Sequence, residues 1–226
     1  MKRILASVAV AAVATTAFGS SMTQNFDTVV PAGWATQNNS SPIGTTNWFQ
    51  GNPTVFPAQG GATSSYAGAN FNNTTGTNTI SNWLMSPQDT FNVGDTIRFY
   101  TRTVNAPAFP DRLQVRYSAA GASTNVGAAN TDVGDFSNLM LDINPGYSTA
   151  VYPNVWTQFT INVTSAFNGR IAFRYFVENG GPTGANSDYI GIDTLEVTPG
   201  ASDIPEPTTG LLFAGIAGLS LARRRR

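Results

Sequence analysis

The chain has 226 residues with 13 acidic and 12 basic side chains, but it contains no histidine and no cysteine. Its single lysine is Lys2, so histidine- or cysteine-based nucleophiles, a Schiff-base lysine in the body and a histidine-ligated zinc are all excluded. The remaining catalytic possibility is a pair of carboxylates, as in glycosidases. No local spacing in the sequence identifies two acidic residues as such a pair. We therefore do not expect an enzyme.

The N-terminus has the three parts of an export signal. Lys2 and Arg3 form a positive region, residues 4–13 form an apolar region, and small residues follow up to Gly19. This order is typical of a cleaved signal peptide, which we assign to residues 1–19. The chain that follows is therefore expected to cross the inner membrane.

The body of the chain has a length suited to one domain, which we place at residues 20–198. Residues 20–203 carry six arginines and twelve acidic side chains, a net charge of about −6. Nucleic-acid binding requires a basic surface, so this charge argues against it. The absence of cysteine does not conflict with export, because a domain of this size can be stabilised by its core.

Several stretches of the body alternate between apolar and polar residues. This alternation is clear in residues 96–103, 112–117 and 170–177, and residues 155–163 contribute a further inward-facing set that begins with Val155. Such a period of two is typical of half-buried antiparallel strands. Further strands are predicted around Phe26, Trp48, Tyr66 and residues 83–85.

The last predicted strand changes phase along its length. Ile190 and Ile192 share one parity, whereas Leu195 takes the other. A β-bulge near Asp193 and Thr194 would return all of them to the core. Nine or ten short strands of this kind predict an all-β fold, a jelly-roll-type antiparallel β-sandwich.

All six arginines of the body occur as pairs four residues apart on predicted strands. That spacing keeps both members of a pair on one face of a strand. If the strands were neighbours in one sheet, six guanidinium groups and two aromatic rings would cover its outer surface. This arginine face comprises Arg98, Tyr100, Arg102, Arg112, Arg116, Arg170, Arg174 and Phe176.

Two interpretations of the arginine face stay open. Guanidinium groups match carboxylate or sulfate groups and exposed rings stack on sugars, so the face would bind an acidic exopolysaccharide. Alternatively, it is a solvated surface paired with the surplus acids. The four tryptophans allow the same pair of interpretations, as sugar platforms or as core residues: Trp34, Trp48, Trp83 and Trp156.

The C-terminus forms a tail of three parts. Residues 199–207 are a linker with three prolines that ends in Pro205, Glu206 and Pro207, and residues 208–226 hold an apolar stretch and four terminal arginines, Arg223, Arg224, Arg225 and Arg226. The apolar stretch of 13 residues (210–222) would span roughly 20 Å as a helix, less than the ~30 Å hydrocarbon core of a bilayer. The arginines would act as a cytoplasmic stop-transfer signal. This geometry favours a temporary anchor that is later cut, with a permanent tail anchor as the alternative.

The tail resembles the PEP-CTERM sorting signal of Gram-negative bacteria. The resemblance implies processing by an exosortase-type transpeptidase, a precursor held transiently in the inner membrane, and release of the mature protein to the cell surface or the extracellular matrix.

The body resembles the choice-of-anchor J domain, which is related to cleaved-adhesin and MAM-like jelly-roll modules. The resemblance rests on short segments at residues 26–34, 82–87, 97–99, 111–115, 155–156, 170–173 and 189–193. It implies a surface-displayed binding or matrix domain without catalytic residues. An adhesion module associated with exopolysaccharide is the leading hypothesis, ahead of a dedicated carbohydrate-binding module for acidic polysaccharide and of a glycan-active enzyme.

A structural calcium ion is a further hypothesis. Asp27 follows the first strand motif and Asp193 lies at the expected bulge, where backbone carbonyls become free. Calcium takes six to eight oxygen ligands, and related jelly rolls place such an ion where the terminal strands meet, as the resemblance implies. The alternative is that each aspartate accepts hydrogen bonds from nearby backbone groups. No other cofactor is expected.

Overall fold

The computed structural model describes residues 21–200, which form twelve β-strands and one short 3-10 turn. The strands are β1 (Met22–Gln24), β2 (Ala35–Asn38), β3 (Phe49–Gln50), β4 (Ala67–Asn70), β5 (Asn78–Met85), β6 (Asp89–Phe91), β7 (Thr96–Thr103), β8 (Leu113–Ser118), β9 (Asn138–Ile143), β10 (Thr157–Asn162), β11 (Phe167–Gly180) and β12 (Tyr189–Thr198). The turn spans Phe71–Asn73.

The predicted signal peptide (1–19), the sorting helix and arginine block (208–226) and most of the linker lie outside the described residues. Within residues 21–200, no helix has the length and apolar character needed to cross a membrane.

The strands form two antiparallel sheets that pack into a sandwich. Sheet I has the order β10-β7-β12-β4-β3, and β1 pairs with the end of β12. Sheet II has the order β2-β5-β11-β8-β9, and β6 pairs with the start of β11. The predicted all-β, jelly-roll-type sandwich is therefore confirmed.

The core lies between the sheets and follows the predicted alternation. Along β7, Ile97 and Phe99 are fully buried, whereas Arg98 and Tyr100 on the opposite face are partly exposed. Phe99 meets Phe173 of β11 edge to face, with 5.0 Å between the ring centroids. Burial of one such side chain stabilises the fold by about 1.5–3 kcal/mol, so this contact ties sheet I to sheet II.

The predicted β-bulge in the last strand is present. The register of β12 against β7 shifts between Asp193 and Glu196, and Thr194 adopts a left-handed backbone with φ of 47°. Ile190 and Leu195 are both fully buried as a result. The bulge thus restores the core-facing phase that the sequence required.

The strand assignment was wrong at one residue and missed three strands. Val155 is 61% exposed rather than inward-facing, because it lies in the connection that precedes the start of β10 at Thr157. Strands β2, β6 and β9 were not predicted. The first half of β9 does not alternate, since Asn138 and Leu139 are both exposed at an edge of sheet II.

Candidate functional site

The six body arginines lie on both sheets, so the single arginine face is wrong. Arg98 and Arg102 are on β7 of sheet I. The other four lie on sheet II, in β8 and β11 or directly before β8. The cause is the connection between β7 and β8, which crosses from one sheet to the other instead of forming a hairpin.

Arg174 is buried rather than presented to solvent, with 2% of its surface exposed. Its guanidinium lies between two rings, 3.9 Å from the Phe176 centroid and 4.7 Å from that of Trp83. It donates hydrogen bonds to the carbonyls of Asn130 at 2.6 Å and Asp132 at 3.1 Å. Burial, reinforced by nearby arginines, lowers the pKa of Arg174 to about 9. Phe176 is itself buried, so neither side chain is available to a ligand.

Arg112 is held by a bidentate ion pair. Its Nε and Nη2 atoms donate to the two carboxylate oxygens of Asp142 at 2.9 and 2.7 Å, and Glu178 lies 3.5 Å from Nη1. The hydrogen bonds that Arg112 donates to Asp142 raise the pKa of Arg112 further above its usual range. Bidentate arginine–carboxylate pairs are strong and directional. The guanidinium of Arg112 is therefore occupied by contacts within the protein.

Arg116 and Arg170 fasten the β8–β9 loop, which we define as residues 119–137, to sheet II. Arg116 donates to the carbonyls of Phe136 at 3.3 Å and Ser137 at 3.4 Å. Arg170 donates to the carbonyl of Ala122 at 3.1 Å. Together with Arg174, these residues satisfy backbone carbonyls that the loop would otherwise leave unpaired. The arginines of sheet II are therefore structural.

On sheet I, Arg102 belongs to an aromatic cap, which we define as Phe56, Tyr66, Trp156 and Tyr189. The guanidinium of Arg102 lies 4.4 Å from the Phe56 centroid and donates to the carbonyl of Asn154 at 2.6 Å. The cap rests directly on β12 at Gly191, where a Cβ atom would lie 2.8 Å from the Trp156 ring and 2.9 Å from Tyr66. Glycine at this position lets the rings approach the sheet.

Only two members of the predicted arginine face point freely into solvent. Arg98 and Tyr100 are half-exposed on the outer surface of sheet I, and within residues 21–200 neither side chain has a hydrogen-bond or ion-pair partner. One isolated arginine does not form the multivalent cationic surface that an acidic polymer requires.

Three of the four tryptophans are buried and serve the core. Trp34, Trp48 and Trp83 are 9%, 5% and 0% exposed. Trp156 is half-buried, and its Nε1 donates to the carbonyl of Pro57 at 2.8 Å. The interpretation as core residues therefore holds for the first three.

Asp193 is surrounded by hydrogen-bond donors. Its carboxylate accepts from the backbone N–H groups of Gln59 at 2.8 Å, Gly60 at 3.2 Å and Thr194 at 2.7 Å. Burial raises its pKa to about 6. Asp27 is exposed, and no cluster of three or more acidic residues suited to a metal occurs in residues 21–200. These hydrogen bonds favour the alternative for Asp193, in which nearby backbone groups occupy its carboxylate, and the calcium ion itself stays untested.

A buried carboxylate that the sequence did not reveal connects the sheets. Asp111 is fully buried and accepts from Thr103 Oγ1 at 2.6 Å, Tyr175 Oη at 2.5 Å and the N–H of Asp188 at 2.8 Å. Burial raises the pKa of Asp111 to about 6. No local signal identifies this aspartate, because its partners lie 8 to 77 residues away in the chain.

An open cleft lies between the two sheets at the edge formed by β9 and β10. We call this the edge cleft; it has a volume of about 360 Å³ and is lined by Tyr117, Ser137, Asn138, Leu139, Met140, Ile161, Asn162, Val163, Thr164, Ser165 and Phe167. Sites for small ligands generally measure about 300–1,000 Å³. The edge cleft is therefore large enough to be a candidate binding site.

The edge cleft has an apolar floor and polar rims. Tyr117 and Phe167 stack at the floor with 4.1 Å between ring centroids. One rim comes from the start of β9, and the other from the end of β10 and the connection that follows. None of the lining residues is charged. Sequence reasoning missed this site, because its rims come from segments that meet only when the two sheets pack.

Comparison with protein families identifies the tail. The model of the PEP-CTERM protein-sorting motif matches residues 203–226. That motif indicates a secreted protein that is sorted to the cell surface through a membrane-anchored precursor, so the predicted sorting signal is confirmed. The search of curated proteins gives no match.

Comparison with solved structures identifies the fold of the body. It is similar to the K1 cleaved adhesin domain of Lys-gingipain from Porphyromonas gingivalis, with a TM-score of 0.55 and 19% identity over 80% of this chain and 98% of that domain. The K3 domain of the same protein gives a TM-score of 0.52 and 19% identity over 79% of this chain and 98% of that domain. At this identity the likeness concerns the fold. The narrower resemblance to choice-of-anchor J domains stays a prediction.

Proposed function

We propose that this chain is an exported bacterial protein that an exosortase-type enzyme sorts to the cell surface or the surrounding matrix. There its β-sandwich acts as a non-catalytic binding module in adhesion or in association with exopolysaccharide. The observation that carries the proposal is the match of residues 203–226 to the PEP-CTERM sorting motif, joined to a single sandwich with a cleaved-adhesin fold.

The arrangement of charges argues against the acidic-polysaccharide alternative. Five of the six body arginines are engaged with carbonyl groups, carboxylates or rings of the protein. The body also carries a net charge of about −6, which repels polyanions. A ligand without charge fits the molecule better.

The test of the proposal follows the protein in a host that has a working exosortase. Antibody labelling of intact cells should detect the body on the surface of wild-type cells and not in an exosortase deletion. Replacement of Pro205, Glu206 and Pro207 by alanine should have the same effect as that deletion. Removal of Arg223–Arg226 should weaken membrane retention of the precursor, because stop-transfer depends on cytoplasmic positive charge. Surface labelling that is unchanged in the exosortase deletion would contradict the proposed sorting.

A further inference from the structure

The two rims of the edge cleft carry polar side chains that the protein leaves unused. Thr164 and Ser165 on one side, and Ser137 on the other, have no side-chain hydrogen bond to any residue in 21–200. Asn138 makes one long hydrogen bond, from Nδ2 to the carbonyl of Tyr117 at 3.5 Å. Hydroxyl and carboxamide groups both donate and accept hydrogen bonds, so the rims offer paired donors and acceptors to a ligand.

The floor of the cleft offers apolar surface to the same ligand. Phe167 and Ile161 are 7% and 8% exposed at its base, and Leu139 on the rim is 49% exposed. A ligand that binds here must therefore present carbon-bound hydrogens towards the floor and hydroxyl or amide groups towards the rims. The exposed lining of the cleft is mainly polar, so hydrogen bonds to the rims supply most of the recognition and the apolar floor supplies a smaller part.

The absence of charge among the lining residues restricts the class of ligand. An ionic group that entered the cleft would lose hydration without meeting an opposite charge, which is costly. The ligand must therefore form hydrogen bonds with the rims, place apolar surface on the floor and carry no charge. Sugars without charged substituents meet these three conditions, because they combine hydroxyl groups with apolar faces. From these observations we propose that the edge cleft binds a neutral saccharide segment of roughly one or two rings.

The position of the cleft suits a segment within a longer polysaccharide. In the described sheets, β9 pairs only with β8 and β10 pairs only with β7, so both strands that flank the cleft have free outer edges. No strand therefore closes the cleft along this side, and a polymer can continue past it in either direction. The proposal rests on the proposed function of the body as a binding module and names its ligand class.

Binding is tested with the full-length chain in a zwitterionic detergent that contains no sugar. Affinity gel electrophoresis in dextran, laminarin, galactomannan and mixed-linkage β-glucan presents neutral polymers, and alginate presents an acidic one. We expect retardation by at least one neutral polymer and none by alginate. Hydrogen exchange followed by mass spectrometry should then show protection by that polymer in residues 137–140 and 161–165. This assay does not depend on export, so failure of the sorting proposal would leave its result unaffected.

Two matched variants locate the site. Ser165→Trp fills the cleft from its rim and should weaken binding about tenfold or more. Thr160→Trp places the same ring on the exposed face of β10 that points away from the cleft, and should change binding less than about twofold.

Four results would overturn the proposal. They are no retardation by any neutral polymer, protection confined to other segments, equal binding by Ser165→Trp and the wild type, and preference for alginate. Protection of β9 or β10 by an extended peptide and by no sugar would instead assign this edge to peptide binding.

Discussion

The hydroxyl of Tyr175 donates a 2.5 Å hydrogen bond to Oδ1 of Asp111, and this contact joins the connection between the sheets to the centre of sheet II. The other carboxylate oxygen of Asp111 accepts from Thr103 of sheet I at 2.6 Å. One fully buried side chain therefore bridges both layers of the sandwich. A chain without cysteine has no disulfide for this purpose, and a buried hydrogen-bond network supplies an equivalent positional restraint.

Replacement of Tyr175 by phenylalanine should destabilise the fold. The change keeps the ring in the core but removes one donor from a buried carboxylate, which costs about 1–3 kcal/mol. Urea denaturation measures this loss in the free energy of unfolding. Tyr100→Phe is the matched control, because Tyr100 is partly exposed and its side chain has no hydrogen-bond partner in residues 21–200. This change should alter stability by less than about 0.5 kcal/mol. Equal effects of the two changes would refute the bridging role of Asp111.

Stability should fall as the pH rises from weakly acidic to neutral. Burial raises the pKa values of Asp111 and Asp193 from 3.8 to about 6 in the folded state. Folding therefore favours their protonated forms, and this contribution is fully present below about pH 4 and is lost as the pH rises through about 6. Calorimetric scans should show a lower Tm at about pH 7 than at about pH 5. Asp193→Asn should make the decline shallower, whereas a Tm that rises over this interval would contradict the assignment.

Replacement of Arg174 by methionine should destabilise the protein and release the β8–β9 loop. The variant leaves the carbonyls of Asn130 and Asp132 without their donor, at a cost of about 2–4 kcal/mol. Arg98→Met removes an arginine without partners in residues 21–200 and should cost less than about 0.5 kcal/mol. Denaturation measures both, and limited proteolysis should cut residues 119–137 faster in the Arg174 variant alone. Unchanged proteolysis in that variant would show that the loop does not depend on Arg174.

Thermal scans test the calcium ion predicted near Asp27 and Asp193. An ion that binds only the folded state raises Tm as its concentration increases. Because three N–H groups already donate to the Asp193 carboxylate, we expect the same Tm in calcium and in chelator. A rise in Tm with calcium that Asp193→Asn abolishes would establish the ion instead.

The sequence was sufficient for the features that depend on local periodicity. The inward sets of β7 and β11 and the bulge at Asp193 follow from the alternation of side chains along a strand, which is a property of each segment alone. The sorting tail was recognisable for the same reason, since its three parts are consecutive in the chain.

The features that depend on which strands are neighbours could not be read from the sequence. The parity of Arg112 and Arg98 was predicted correctly, but nothing local indicates that β8 and β7 lie in opposite sheets. In the same way, the spacing of Arg174 gives no sign that residues 119–137 fold over it. The edge cleft was missed because Tyr117 and Thr164 meet only after the sheets pack.

The most direct test of the central claim is the intact mass of the native protein from a host with a working exosortase. We predict a mature chain that has lost both the signal peptide and the sorting tail, with its C-terminus formed by cleavage near residues 205–208, between the body and the apolar segment. The same measurement in an exosortase deletion should give the unprocessed C-terminus. A mature form from the wild-type host that still ends at Arg226 would contradict the account.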